Sequence, residues 1–455
     1  MKKNPVVFAF AFLLPLVVMS AELPDDFEKN WPQWRGPHAN GVAPYGNPPV
    51  EWSESQNIKW KIEIPGKGHA TPIVWGDLVF VLTAIETDKV VEKPVAQQEQ
   101  SQQNRPGRRR RRGGWMRGIQ PKQVLKFTIL AINRQDGKIV WQRTSREELP
   151  HEGTHNTGSW ASNSGLTDGK HAFAFFGSRG LYCYDMQGNL QWQKDLGDMQ
   201  IKLGFGEGSS PALYGDKIVI NWDHENQSFI TALDKNTGKE FWKVDRDEGT
   251  SWSTPIVVEH DGKQQVIVSA TKRIRSYDLA TGKVIWECGG MTRNAIPSPV
   301  YADGIVYVTS GFRGSSLLAI RLADAKGDIT DSNALVWKHD RDTPYTPSPL
   351  LYKDSLYFLK VNTQILSCFN AKTGEAYYNK QRLEGIQGVY ASPVAAQNRV
   401  YFVGRNGTAV VVKHGPEPEV LATNTLEDGF DASPAIVGKE IYLRGNKYLY
   451  CIAKR

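Results

Sequence analysis

The chain contains 455 residues, of which 40% are hydrophobic, 23% charged and 11% aromatic. This composition is typical of a globular protein and excludes a disordered or collagen-like chain. Four cysteines are too few for a scaffold built on disulfides. The formal net charge of +7 is concentrated in the N-terminus and in one internal segment, which excludes a broad nucleic-acid-binding face.

The N-terminus has the pattern of a secretory signal peptide. Two lysines precede an apolar run at residues 6–19, and two small residues follow it. The run is too short for a membrane span, and the cleavage position has no cysteine that could carry a lipid. We assign residues 1–21 to a signal peptide and 22–56 to an N-terminal extension. We therefore expect a periplasmic or secreted protein without a membrane span.

A small polar residue followed by proline recurs along the chain. The spacing from one pair to the next lies between 41 and 50 residues, apart from a first gap of 92. A period near 44 residues is typical of the four-stranded blades of a β-propeller, so eight positions predict eight blades. The pairs begin at Thr71, Ser210, Thr254, Ser298, Ser348, Ser392 and Ser433, and Asn163-Ser164 fits the same frame without proline.

A second block follows in most repeats. In its clearest copy, Asp234 and Gly238 precede Trp242, which lies four residues after the glycine. We expect the Asp or Asn and the Gly to form a tight turn between two strands, and the aromatic ring to wedge between neighbouring sheets. Degenerate copies occupy residues 131–141, 183–192, 276–286 and 368–378.

The two ends of the chain predict how the ring closes. Only 21 residues follow Pro434, which is too few for a complete blade, whereas Trp60 lies 12 residues before Pro72, as a fourth-strand tryptophan should. Residues 57–61 are therefore predicted to complete the C-terminal blade. The fold prediction is an all-β, single eight-bladed propeller of four-stranded antiparallel blades in residues 57–455, closed by this N-terminal strand.

The cysteines fit the same repeat. Cys183, Cys368 and Cys451 occupy one column of small core residues, in blades 2, 6 and 8, and Cys288 lies outside it. Because those three blades are not neighbours, the three thiols should not pair with one another. We expect four free and mostly buried thiols.

Residues 86–123 form a basic insertion between the second and third strands of blade 1. They hold ten Lys and Arg against four acids and include a polar low-complexity run, so we expect a disordered loop on the face of the channel mouth. It is a candidate contact for an anionic polymer, and a solvated loop without a partner is the alternative. Its arginines are Arg105, Arg108, Arg109, Arg110, Arg111, Arg112 and Arg117.

The block at residues 232–242 resembles the repeat of the pyrroloquinoline-quinone-like propellers, and degenerate copies cover about 57–455. The segment 31–37 is also similar to the opening of exported members. The resemblance implies one of two functions. Quinoprotein alcohol dehydrogenases bind the quinone and Ca²⁺ in the central channel. Other members are non-catalytic, such as the propeller subunit of the outer-membrane β-barrel assembly machinery. The repeat builds the scaffold and does not choose between them.

Features outside the repeat favour the non-catalytic arm. The dehydrogenases typically carry a disulfide between adjacent cysteines and a haem signature in some members, and neither pattern occurs here. Glu207, Asn294 and Asp431 have suitable types for metal ligands, but the sequence does not fix their distances. We expect a monomeric binding or interaction scaffold in the cell envelope that needs no cofactor and binds an envelope protein or an anionic polymer, not nucleic acid. A quinone- and Ca²⁺-dependent dehydrogenase and a polysaccharide-binding propeller are the alternatives.

Residues just before each repeated pair should lie at the channel mouth, because the first strand of each blade lines the channel. They mix aromatic and polar types, which suits a planar or sugar-like ligand; a channel plugged by packed rings is the alternative. His151 and His155 lie on a predicted loop, where hydrogen bonding is favoured over a metal site because no third ligand is evident. The mouth candidates are His69, Trp160, Glu207, Trp252, Asn294, Tyr345, Tyr390 and Asp431.

Overall fold

The computed structural model describes residues 26–91 and 118–454. These residues form eight β-sheets, each built on four antiparallel strands, which confirms the predicted all-β, eight-bladed propeller. No helix in the described ranges is long and apolar enough to span a membrane. The helices that they contain are short 3-10 turns at Phe27–Lys29, Gly177–Arg179, Lys202–Gly204 and Leu322–Asp324.

The strands are numbered in chain order and fall into four positions from the channel outwards. The first strands are β2 (Ile73–Trp75), β6 (Leu166–Thr167), β10 (Ala212–Tyr214), β14 (Ile256–His260), β18 (Val300–Ala302), β23 (Leu350–Tyr352), β27 (Val394–Ala396) and β31 (Ala435–Val437). The second strands are β3 (Leu78–Val90), β7 (His171–Phe175), β11 (Lys217–Trp222), β15 (Lys263–Val268), β19 (Ile305–Ser310), β24 (Ser355–Leu359), β28 (Arg399–Val403) and β32 (Glu440–Arg444).

The outer half of each blade completes this order. The third strands are β4 (Gln123–Asn133), β8 (Leu181–Asp185), β12 (Ser228–Asp234), β16 (Ile274–Asp278), β20 (Ser316–Arg321), β25 (Ile365–Asn370), β29 (Thr408–Lys413) and β33 (Tyr448–Ala453). The fourth strands are β5 (Ile139–Glu148), β9 (Leu190–Lys194), β13 (Glu240–Arg246), β17 (Val284–Cys288), β22 (Leu335–His339), β26 (Ala376–Arg382), β30 (Val420–Thr425) and, for blade 8, β1 (Ile58–Glu63). Blade 4 gains a fifth, parallel strand, β21 (Gly327–Asp328).

The N-terminal strand closes the ring as predicted. Strand β1 pairs antiparallel with β33, with Trp60 opposite Cys451. Beside this pairing, Glu440 on β32 accepts hydrogen bonds from Lys59 Nζ at 2.7 Å and from Arg134 Nε at 2.6 Å. One carboxylate therefore joins the N-terminal strand, the C-terminal blade and blade 1.

The repeated glycine and tryptophan form the contact between neighbouring blades. A Cβ on Gly238 would lie 2.7 Å from the indole of Trp192 in the preceding blade, and the same contact recurs at Gly188 with Trp141. The Trp192 Nε1–H donates to the carbonyl of Lys235 at 3.1 Å. The predicted wedge is thus an indole that lies against a glycine and is bonded to the turn beside it.

The repeated Ser or Thr forms a hydrogen-bonded ring around the channel. The backbone N–H of each donates to the hydroxyl of its counterpart in the next blade at 2.9–3.0 Å. Seven such hydrogen bonds follow one another from Thr71 to Ser433, and we call each contact between two neighbouring blades a join. In blade 2 the ring position is Ser164, so the predicted frame that began at Asn163 is wrong by one residue. The eighth join is missing, and the Thr71 hydroxyl has no hydrogen-bond partner among the described residues.

All four cysteines are free and buried, as predicted. Burial raises the pKa of Cys183 and of Cys451 to about 12. These thiols are core side chains with little thiolate character, which excludes them as nucleophiles.

The N-terminal extension lies across the face of the propeller opposite the predicted mouth. Its backbone exchanges hydrogen bonds with the ends of inner strands, including Trp31 with Val74 in blade 1 and Ala43 with Ala395 in blade 7. Further along the same face, Gly438 in blade 8 accepts a bond from the extension. The extension therefore ties together blades that are not neighbours in the chain.

The basic insertion is described only at its two ends. Strand β3 runs to Val90 and β4 begins at Gln123, so the predicted disorder of residues 86–123 is wrong at both ends of that segment. Near the second end, the Gly118 N–H donates to Leu203 O at 2.9 Å. Ile119 then pairs with Thr154. The insertion is thus rooted on the loops around residue 204. Residues 92–117, which include Arg105, Arg108 to Arg112 and Arg117, lie outside the described residues.

Candidate functional site

The central channel contains a cavity of about 430 Å³. Its walls come from the loops that enter the first strands and from loops that follow the second strands. Trp34, from the extension on the opposite face, forms its floor. Six of the eight predicted mouth residues line it, namely His69, Glu207, Trp252, Tyr345, Tyr390 and Asp431.

Aromatic side chains form much of the cavity wall. Phe312 and Tyr345 stack with their ring centroids 4.8 Å apart. Across the channel, His155 and Phe205 pack edge to face, with their ring centroids 5.0 Å apart. Trp252 is fixed at its polar edge, because its Nε1–H donates to Gly206 O at 2.7 Å. The rings are held by their neighbours, so the wall is preformed.

A second part of the wall carries an ion pair. Arg405 Nε lies 2.5 Å from Asp431 Oδ1, and its guanidinium lies 4.4 Å from the centre of the Tyr390 ring. His69 Nε2 is 3.7 Å from Asp431 Oδ2. Burial lowers the pKa of His69 to about 4, although Asp431 acts in the opposite direction. The imidazole is therefore neutral at pH 7.

Glu207 lies on the opposite wall and is bound to blade 2. Its carboxylate accepts the Ser178 N–H at 2.7 Å and the Ser178 hydroxyl at 2.5 Å. Gly177 is required there, because its φ is +57° and a Cβ would lie 1.5 Å from Glu207 Oε2. Burial raises the pKa of Glu207, and the bonds from Ser178 offset part of this effect.

Behind Glu207 lies a group of ionisable side chains that could be taken for a metal site. Ligand atoms of His151, Glu152 and Glu207 lie within 4.8 Å of one another. Arg179, however, donates to His151 Nδ1, and His151 Nε2–H donates to Met199 O at 2.6 Å. Both imidazole nitrogens are used, and Arg179 supplies the positive charge that an ion would bring.

The two predicted histidines lie in different places. His155 lines the channel cavity, with Nδ1 2.7 Å from the Thr157 hydroxyl. His151 points into the group behind Glu207. The predicted loop between them is observed, and both rings hydrogen-bond within it or to its neighbours.

Two predicted mouth residues do not line the cavity. Trp160 lies behind Glu207, beside a cavity of about 20 Å³, and its Nε1–H donates to Glu152 O at 3.1 Å. Asn294 is buried with a φ of +57°, and its Oδ1 has no hydrogen-bond partner among the described residues. The place of a residue just before the repeated pair thus puts its backbone near the mouth. It does not determine which way the side chain points.

Sequence reasoning missed several lining residues. Phe312 and Asn362 follow the second strands, and these loops also open on the mouth although no repeated pair marks them. Phe205 lies in a Gly-rich stretch whose path could not be inferred. Trp34 lies in the segment 31–37, which is similar to the opening of exported members, but nothing in the sequence indicates that it reaches the channel.

These residues do not fit the quinone and Ca²⁺ of the dehydrogenases. Glu207, Asn294 and Asp431 come from blades 3, 5 and 8, and both oxygens of the Glu207 carboxylate are already held by Ser178. Within the described ranges, no lysine or arginine lines the cavity, although the quinone carries carboxylates. The buried cysteines also lie outside its wall.

Comparison with known proteins identifies the family of the chain. A family model described as outer membrane protein assembly factor BamB matches residues 125–378 and 226–455, which together are more than half of the chain. The chain belongs to the BamB family. Membership agrees with the predicted pyrroloquinoline-quinone-like repeat. No curated protein sequence matches the chain significantly.

Solved structures share the fold of this BamB family member at low sequence identity. BamB from Moraxella catarrhalis is 14% identical, with a TM-score of 0.53, over 82% of this chain and 100% of its own. Quinohemoprotein alcohol dehydrogenase from Comamonas testosteroni is 11% identical, with a TM-score of 0.62, over 95% and 82%. A europium-containing methanol dehydrogenase is 10% identical, with a TM-score of 0.60, over 94% and 99%. At these identities the likeness concerns the fold alone.

Proposed function

We propose that the protein is a non-catalytic binding module of the cell envelope, periplasmic or secreted, that takes its ligand or partner group through the open mouth of the channel. The observation that carries the proposal is the preformed cavity of about 430 Å³, walled by aromatic rings and closed below by Trp34. Such a cavity is suited to hold a ring or chain end.

The state of the acids supports a binding role over a catalytic one. An acid–base catalyst needs a carboxyl group that is free to exchange a proton with the substrate. Asp431 is paired with Arg405, and both oxygens of Glu207 accept bonds from Ser178. The family description, a factor of outer membrane protein assembly, is consistent with an envelope location and with interaction as the function.

The first experiment separates binding from quinone-dependent catalysis. The mature protein is titrated with pyrroloquinoline quinone, with and without Ca²⁺, while tryptophan fluorescence and dye reduction with simple alcohols are followed. We expect neither saturable quenching nor turnover, because carboxylates of the quinone would meet Asp431 and no lining cation. Ca²⁺-dependent binding with dye reduction would overturn the non-catalytic assignment.

A second experiment tests the mouth as the binding face in cells. A photo-crosslinking phenylalanine analogue replaces Phe312 in the cavity wall or, as the control, Phe241, which is 46% exposed on an outer strand. We expect a discrete adduct in the envelope fraction only from position 312. Equal adducts from both positions, or an adduct only from position 241, would contradict the proposal.

The basic insertion is a further proposed contact, for an anionic polymer. Its described end at Gly118 and Ile119 contacts the loop that carries Phe205. A polymer bound there would therefore lie close to the mouth. Deleting residues 97–117 should abolish retention on a sulfated resin at low salt. Undiminished retention would exclude the insertion as the anion contact.

A further inference from the structure

The channel cavity is lined by acidic side chains and histidines, with no fixed cation among its described lining residues. Among the described lining residues, the acidic side chains are Asp431 and Glu207, and there is no lysine or arginine. The two lining histidines do not supply positive charge at pH 7, because burial lowers the pKa of His69 to about 4 and also lowers the pKa of His155. A bound ligand therefore meets carboxylates and neutral polar groups.

Two arginines lie next to residues of the cavity wall. Arg405 is stacked on Tyr390 and bonded to Asp431, and its side chain is 34% exposed. Arg35 lies beneath the floor, 5.8 Å from the Trp34 ring, is only 1% exposed, and donates to the carbonyls of Asn40 and Pro349. The Arg405 cation is thus paired with Asp431, and the Arg35 cation is buried.

The Asp431 carboxylate retains capacity to accept a ligand donor. Its Oδ1 carries the short bond from Arg405, whereas Oδ2 receives only a long contact from the same guanidinium at 3.5 Å. His69 Nε2 is 3.7 Å from Oδ2 and has no hydrogen-bond partner among the described residues. One carboxylate oxygen thus remains available beside an aromatic wall.

Aromatic rings and a carboxylate together select a particular ligand chemistry. The face of an aromatic ring attracts cations, and several rings around one carboxylate favour an ammonium group that carries apolar carbon. Six aromatic side chains line this cavity, namely Trp34, Phe205, Trp252, Phe312, Tyr345 and Tyr390. A carboxylate-bearing ligand would be repelled by the same arrangement.

We infer that the channel cavity is a binding site for an organic ammonium group, held against the aromatic wall and the Asp431 carboxylate. The inference rests on the proposed binding function and names its ligand chemistry. A methylated ammonium, as in choline, and the amine of an amino sugar are two sources of this group.

The test uses pairs of compounds that differ in charge alone or nearly so. Choline is compared with 3,3-dimethylbutan-1-ol, in which carbon replaces the ammonium nitrogen, and glucosamine is compared with glucose. Binding to the wild-type mature protein is measured by titration calorimetry at pH 7. We expect at least one ammonium compound to bind about tenfold or more tightly than its neutral partner.

Two variants locate the site. Asp431→Asn and Trp252→Leu should each weaken binding of the preferred ammonium compound about tenfold or more. Asp261→Asn, on the opposite face and 80% exposed at its side chain, and Phe241→Leu on an outer strand are the matched controls and should leave binding unchanged. A thermal melt of each variant confirms that it is folded, and the comparison of compounds on the wild-type protein does not depend on any variant.

The outcomes separate the inference from the proposed function. Equal affinity for the charged and neutral members of a pair would overturn the ammonium inference and leave the binding function standing. Absence of binding by all four compounds would also overturn the inference, while the crosslinking at position 312 would still decide the binding function. Ammonium binding that survives both Asp431→Asn and Trp252→Leu would place it outside the channel and contradict the inference.

Discussion

The joins between blades and the residues at the channel mouth follow opposite rules. At the joins the same contacts recur from blade to blade, as in the indole of Trp192 against Gly238 and in the ring of Ser and Thr hydroxyls. At the mouth, the eight residues before the repeated pairs include six different types. Each join must match its neighbour, whereas a mouth residue faces the channel and is free to differ. The comparison places the scaffold where the repeat holds and the binding site where it does not.

The largest loss of stability is expected where an added methyl group crowds the contact between two blades. Gly238→Ala requires Ala at a φ of +69° and places a Cβ 2.7 Å from the Trp192 indole, which its own hydrogen bond holds in place. We expect a loss of about 3 kcal/mol in the free energy of unfolding, measured by urea denaturation.

Gly262→Ala is the matched control for the backbone contribution. Gly262 has the same φ of +69° but nothing within 4 Å of the added Cβ. It should cost only about 1 kcal/mol, from the left-handed conformation alone. Equal losses in the two variants would show that backbone conformation, not the packing of blade against blade, makes the glycine necessary.

The next largest loss of stability is expected in blade 8, which closes the ring. In Glu440→Gln, the amide cannot accept charge-assisted bonds from both Lys59 and Arg134, and we expect a loss of about 2 kcal/mol at pH 7. Burial of Glu440 opposes its ionisation, but the bonds from Lys59, Tyr442 and Arg134 outweigh burial and hold its pKa below the usual value.

The sign of this shift predicts a pH dependence. A depressed folded-state pKa contributes stability above the unfolded-state pKa, and this contribution is lost as the pH falls through the folded-state value. The difference between wild type and Glu440→Gln should therefore be full at pH 7 and shrink below the ordinary carboxyl pKa of about 4.3. A difference that grows on acidification would contradict this role for the ion pair.

The same comparison explains what the sequence could predict. The eight blades, the wedge of Trp242 and the closing strand at Trp60 followed from spacing, because a repeat of about 44 residues repeats its contacts. Six mouth residues followed from their place before the inner strands. Trp34 and Phe312 did not, because no repeated contact fixes them. Asn163 was placed one residue out of frame because blade 2 lacks the proline that marks the other repeats.

A smaller effect is expected from a single hydroxyl in the ring. Ser348 accepts the backbone N–H of Ser298 at 3.0 Å and is 2% exposed. Ser348→Ala leaves that N–H without its acceptor, in a place that water reaches poorly. We expect a loss of about 1–2 kcal/mol in the free energy of unfolding. An unchanged free energy of unfolding would mean that the hydroxyl ring aligns the blades but does not stabilise the fold.

The smallest effect is expected at the seam between blades 8 and 1. Thr71 is as buried as Ser348, at 2% exposed, but its hydroxyl has no hydrogen-bond partner in the described part of the chain, because the eighth join of the ring is missing. Thr71→Val keeps the shape of the side chain and its backbone bond to Ser164, and removes only this unused hydroxyl. An unbonded buried hydroxyl costs free energy, so the variant should be neutral or slightly more stable. Urea denaturation beside Ser348→Ala measures the contrast. A loss at Thr71 as large as that at Ser348 would mean that the hydroxyl is bonded in solution and that the ring closes through all eight blades.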